Sequence, residues 1–321
     1  LDDATPVQQM SAQVAAKASH LFPMRAAVRY NQGDQQWNYG NKQFRGQNAP
    51  YGAVITYWLG TKPAADSLVK VEILKDGSVI RTLKRPTADA GFNRINWDLR
   101  MDAPKVLSDM PADSADPGDW RSRPMGPQVL PGQYAVRLTV SGAASEQPLT
   151  VRIDPSSGLG EAELRQQFEQ ATRLNAVIAS LIDTERNLVA FKGQIEERRA
   201  SGKEMRGDAA REMAGAAGEE IVKLDSVRLQ LTRPRSDVIP FYSEGPRPLE
   251  RAMSLMGSID NGLTPVIAAQ REYMGDVRRD AQTVIDMVEK QVSASVSRMN
   301  PLLKSLGLPE LAPPPKKTTA M

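Results

Sequence analysis

Near residue 160 of 321 the spacing of apolar residues changes period, and that change limits the fold more than any other feature. Before it, Val69, Val71 and Ile73 alternate with Lys70 and Glu72, and Tyr134, Val136, Leu138 and Val140 alternate with Arg137 and Thr139. A period of two belongs to half-buried strands. After Gly160, Leu164, Phe168, Ala171, Leu174, Ile178, Leu181, Leu188, Phe191 and Ile195 recur at steps of three and four. That is one apolar face of a long helix. A chain that switches once, strands first and helices after, is an α+β protein of more than one domain. Its 321 residues are enough for two cores.

Seven or so short strands can be read between residues 51 and 155. Ala53–Leu59 is rich in β-branched and aromatic residues. Leu68–Leu74 and Val79–Leu83 flank Asp76-Gly77, and Asp-Gly between two alternating runs marks a tight hairpin. Asn93–Leu99 places Ile95, Trp97 and Leu99 on one face. Gln133–Val140, the turn Ser141-Gly142 and Pro148–Ile153 close the set. Short strands at this spacing predict an antiparallel β-sandwich of immunoglobulin type. Residues 1–50 show little periodicity beyond a short helix in SAQVAAKAS and a strand around Ala26 to Tyr30, and read as a strap leading in from an upstream domain. A Pro- and Asp-rich insert interrupts the strands at residues 102–127; a loop of that length is functional or disordered.

Residues 160–308 read as an antiparallel helical bundle. The first helix ends at Gly202 and Gly207. A second, carrying Met213, Ala217, Ile221, Leu224 and Leu231, runs up to Thr232 before Pro234. RPRSDVIPFYSEGPRP is a crossover loop, and Leu249, Met253, Met256 and Ile259 define a third, shorter helix. Thr264-Pro265 predicts the start of the last long helix, and Asn300-Pro301 its break. Residues 309–321 are expected to be a disordered tail.

Charge is nearly balanced, 41 Lys+Arg against 38 Asp+Glu, and blocks of basic residues interleaved with aromatics are missing, so nucleic acid is not an expected partner. There are no cysteines, which excludes disulfides, thiol nucleophiles and thiolate metal sites. No apolar run is long enough for a transmembrane helix. The chain opens on Leu1, which suggests a piece of a longer product.

The segments GQNAPYGAVITYWL, VEILKDGSVIRTL, GFNRINWDLR, LPGQYAVRLTV and QPLTVRIDP together resemble the C-terminal region of large exported bacterial proteins with BNR/sortilin-type β-propeller repeats. Those proteins often carry a glycosyl hydrolase label. The β part is similar to the immunoglobulin-like domain of the flagellar hook-cap protein. The likeness runs from about His20 to Leu308 and is more specific in the quoted segments than in the helices. It implies export, with a periplasmic, surface or secreted location, and an accessory role beside a propeller. No Ser-x-Asp-x-Gly-x-Thr-Trp box occurs here, so any glycosidase activity would belong to the absent propeller and no catalytic residue is carried over.

The residues themselves offer no catalytic constellation. His20 is the only histidine, which rules out multi-His metal sites, and it reads as incidental in the leader stretch; G-x-S-x-G is absent. Asp102, Asp109, Asp113, Asp116 and Asp119 lack the tight spacing of a calcium loop. Asp98 and Asp102 are a formal carboxylate pair for glycoside hydrolysis, but alternation turns Asp98 outward from its strand. No cofactor or metal is expected. What remains are aromatic anchors: Trp37, Tyr39 and Phe44 in the strap, Trp120 in the insert, and Trp58 on a strand. Trp97 shares a face with Ile95 and Leu99 and reads as core. The sequence therefore points to a non-catalytic interaction module that docks on an upstream propeller, on another protein partner or on further copies of itself. A carbohydrate-binding appendage is the alternative.

Overall fold

The structure, a computed structural model, describes residues 3–31, 50–104, 124–232, 245–260 and 262–315. It is mixed α+β and divides into two compact units. A β unit comprises residues 1–103, 125–169 and 260–265; a helical unit comprises residues 104–124, 170–259 and 266–321.

The β unit opens with two single-turn helices, α1 (Thr5–Gln8) and α2 (Ala12–Ala15). Eight strands follow among the described residues: β1 (Ser19–Leu21), β2 (Ala27–Arg29), β3 (Ala53–Leu59), β4 (Val69–Lys75), β5 (Ser78–Leu83), β6 (Gly91–Trp97), β7 (Gly132–Val140) and β8 (Ala143–Ile153). They form two sheets, β1-β3-β6 and β2-β8-β7-β4-β5. Alternation decides the faces. Ala53, Ile55, Tyr57 and Leu59 of the first sheet and Val71, Ile73, Val136, Leu138 and Leu149 of the second enter one hydrophobic core. At the Asp-Gly hairpin, Asp76 (φ +50°) and Gly77 (φ +79°) both take left-handed conformations and Lys75 pairs with Ser78. This is the mirror-image turn whose twist matches that of the flanking strands.

Several expectations need correction. The N-terminal stretch is more than a strap, because β1 and β2 add a strand to each sheet. β2 runs parallel to β8, against the all-antiparallel expectation. More than a hundred residues separate the two strands, so no tight turn forces them antiparallel. β8 begins at Ala143, ahead of the expected Pro148. Its first residues are exposed, so no apolar alternation announces them.

Four longer helices follow among the described residues: α3 (Glu161–Lys203), α4 (Asp208–Leu231), α5 (Pro248–Asp260) and α6 (Ala268–Ser305). From residue 170 onward their apolar faces share a second core that includes Leu174, Leu181, Phe191, Met213, Leu224, Ile259, Val277 and Met299. α6 does not start at Thr264-Pro265. Val266 is already buried ahead of the helix, Ile267 is extended, and the Ile267 N–H donates to Gln270 Oε1 (3.1 Å) as the cap. Nor does Pro301 end the helix. The proline sits inside it, a placement that costs about 3 kcal/mol. Fully buried Met299 and Leu303 on either side hold the backbone helical. Residues 309–315, expected in a disordered tail, pack against the helical unit because Leu311 enters its core.

Candidate functional site

The outer face of the three-stranded sheet carries the aromatic residues that the inner core does not take. In β3 the burial alternates strictly, so Val54, Thr56 and Trp58 face away from the core. Pairing sets His20 opposite Trp58, and Trp58 opposite Phe92. The three side chains therefore stand abreast across β1, β3 and β6. The Trp58 and Phe92 rings meet edge to face, with centroids 5.4 Å apart. Phe22, fully buried just after β1, stacks on Phe92 at 5.5 Å and meets His20 edge-on at 4.8 Å. Phe92 remains 44% exposed. Beside it on β6, Arg94 and Asn96 are also exposed. Burial, and secondarily the Lys17 charge, push the His20 imidazole below its ordinary value, which favours its neutral form. An exposed aromatic with buried aromatic backing and a neighbouring arginine has the composition of an interface anchor.

Of the aromatics singled out by sequence, Trp58 joins this row. Trp37, Tyr39, Phe44 and Trp120 lie outside the described residues, as does most of the insert. Trp97 is fully buried, meets Tyr134 at 5.6 Å and donates its indole N–H to the Arg100 carbonyl (2.8 Å), as a core residue should. Asp98 and Asp102 both approach Arg81, at 3.4 and 3.8 Å, so they form an ion cluster around one guanidinium. Among the described residues, no group of three or more His, Asp or Glu could hold a metal ion. Phe92 escapes sequence reading, and His20, the only histidine, reads there as carrying no site of its own. The period-two alternation of β6 does turn Phe92 outward, but which strand lies beside it is a matter of tertiary pairing.

A second feature of the β unit had no sequence signal. Arg29, Arg100, Gln128, Gln167 and Asp260 are all buried in it. Arg29 Nη2 donates to Gln167 Oε1 (2.6 Å), and Gln167 Nε2 donates to the Gly262 carbonyl (2.6 Å). Burial lowers the Arg29 guanidinium below its ordinary value, opposed by the Asp260 carboxylate. The hydrogen bonds fix chain segments to one another, which is structural work.

Compared with known families and curated proteins, the chain matches no family model and no curated sequence. Among the described residues, no helix is long and apolar enough to cross a membrane.

Proposed function

We propose that this chain is a non-catalytic interaction module of an exported, propeller-containing protein, and that it docks on the propeller through the aromatic face of its β unit. In this reading the two sheets are an immunoglobulin-like sandwich and the helices an antiparallel bundle. Two features support the sandwich. Both sheets feed one core, and the Tyr134 hydroxyl donates to the Leu130 carbonyl (2.6 Å), the short upstream bond seen at the tyrosine corner of such domains. The observation that carries the function is the row His20–Trp58–Phe92, with Phe92 exposed and its ring held on two sides by Phe22 and Trp58. A rigid aromatic loses little conformational freedom on binding, which is why such residues anchor interfaces.

The test is isothermal titration of the chain against the propeller of the same protein. Binding is expected that Phe92→Ala weakens by about tenfold or more. An absence of heat at high concentration overturns the reading, as does an upstream coding sequence without a propeller.

A carbohydrate-binding appendage is the second reading, favoured by the same exposed ring. The Trp58 and Phe92 planes lie at 77° to one another, which makes a ridge where a sugar-stacking platform would be flat. A glycan array separates the two readings: saccharide binding lost in Phe92→Ala would replace the docking proposal.

A further inference from the structure

The helical unit holds a groove between α3 and α6. Residues 309–315 lie along it, and Leu311 is 3% exposed. Asn300 on α6 takes both main-chain groups of Leu311: the Leu311 N–H donates to Asn300 Oδ1 (2.8 Å) and Asn300 Nδ2 donates to the Leu311 carbonyl (3.3 Å). Gln194 on α3 does the same for the next residue. The Ala312 N–H donates to Gln194 Oε1 (3.0 Å) and Gln194 Nε2 donates to the Ala312 carbonyl (3.1 Å). Arg198 Nε donates to the Pro309 carbonyl (2.9 Å).

Successive residues of an extended chain present their N–H and C=O groups to opposite edges. Two side-chain amides, one from each helix, therefore grip opposite edges of the segment, each standing where a neighbouring strand would. Bonds of this sort read a backbone and leave sequence to the pockets. One pocket is filled by Leu311. The next is not. Beside Pro313–Pro315 lies a cavity of about 260 Å³ with an apolar side, Leu188, Ile285, Val288, Val292 and Val296, and a polar rim that includes Asp183, Asn187 and Glu289. The three prolines wall this space without filling it, and of the three only Pro314 is half-buried. The apolar side, without partner atoms, forgoes its dispersion contacts.

We propose that the groove between α3 and α6 is a recognition site for an extended, proline-containing segment of a partner protein. The partner carries a leucine anchor and, three residues later, a larger apolar side chain that fills the cavity. The chain's own residues 309–315 hold the groove as an imperfect competitor in cis.

The probes are two fluorescent decapeptides: the chain's own 308–317 sequence, and the same peptide with Pro314→Leu. Both are titrated into the full chain and into its Leu311→Ser variant. The Pro314→Leu peptide is expected to bind about tenfold or more tightly than the natural sequence, because it fills the cavity. The Leu311→Ser chain is expected to bind both peptides about tenfold or more tightly than the unaltered chain, because a tethered competitor acts at high effective concentration. Adding Asn300→Ala and Gln194→Ala to that variant should abolish binding. A Leu311→Ser chain that keeps its helical circular dichroism yet binds neither peptide overturns the proposal, and so does equal affinity for the two peptides. If Leu311→Ser unfolds the unit, a protease site inserted between Gly307 and Leu308 and cut after folding takes its place. The freed tail should then exchange for the Pro314→Leu peptide, and a tail that stays bound against excess peptide overturns the proposal. A concentration-dependent dimer that the peptides do not dissolve would put a second copy's tail in the groove and also overturn it.

Discussion

Arg100 and Asp260 are 160 residues apart in the chain and hydrogen-bonded to one another, both buried, inside the β unit. The same guanidinium donates to the Gly126 carbonyl (2.8 Å), and the Asp260 carboxylate also accepts the Gln128 N–H (3.1 and 3.2 Å to its two oxygens). The pair thus joins the end of β6, the return from the insert and the last residue of α5. Removing one partner of a buried pair leaves an uncompensated charge and costs about 3–5 kcal/mol. Asp260→Ala should lower stability by that amount in urea unfolding. Arg100→Met combined with Asp260→Leu should recover part of the loss, because no buried charge is then left alone. A double variant less stable than Asp260→Ala would show that the pair is not coupled in this way.

His20 is the chain's only histidine, so its ring protons can be assigned in a proton NMR spectrum without further labelling. Burial against the aromatic row lowers its folded value below the ordinary 6.5. Between the two values the unfolded chain binds the proton and the folded chain does not, so stability falls as pH drops below about 6.5. The NMR titration midpoint should lie below 6.5, and His20→Gln should remove this part of the acid destabilisation. A midpoint at or above 6.5 would contradict the burial of the ring.

Much of the fold was legible from local pattern. The Asp76-Gly77 hairpin, the core side of Trp97 and the helix break at Gly202 and Gly207 follow from turn chemistry and period, which are properties of neighbouring residues. What failed was decided at a distance. Nothing near Arg100 announces Asp260, and nothing near Pro301 announces that burial of Leu303 outweighs the lost hydrogen bond. Leu311 is a single apolar residue among prolines, with no period to read, yet Asn300 and Gln194 fix it. The candidate face was half visible. Trp58 was named, but its orientation needed the strict alternation of β3, and its neighbours His20 and Phe92 needed the strand pairing.

Gly52 and Gly77 both have positive φ, and the two should respond differently to alanine. A Cβ on Gly77 meets nothing within 4 Å, so Gly77→Ala pays only for its conformation, about 1 kcal/mol. A Cβ on Gly52 would lie 1.9 Å from the Trp97 carbonyl oxygen, where β3 and β6 begin to pair. Backbone cannot swing aside as a side chain can, so Gly52→Ala should cost about 3 kcal/mol or more. Thermal unfolding of the two variants checks this, and equal losses would refute the steric argument.

Glu220 is the most deeply buried acid among the described residues of the helical unit. From α4 it accepts from Lys223 (2.7 Å), and from Ser295 (2.7 Å), Arg298 (2.8 Å) and Gln291 (3.0 Å) on α6. Burial, the largest single influence, raises its value, but the bonds from Lys223, Ser295 and Arg298 together outweigh burial and hold the carboxyl below its ordinary 4.5. A lowered folded value means that the charged form stabilises the fold above about 4.5, and that this contribution is lost as pH falls through the folded value. Glu220→Gln keeps the shape and removes the charge, and should cost about 2–3 kcal/mol at pH 7, since hydrogen bonds to a charged group are the stronger kind. The gap between Glu220→Gln and the unaltered protein should narrow as urea unfolding is repeated from pH 7 down through the folded value, where the wild-type carboxyl takes up its proton. A gap that stays constant over that range would mean that the geometry of the site, and not the carboxylate charge, holds α4 to α6.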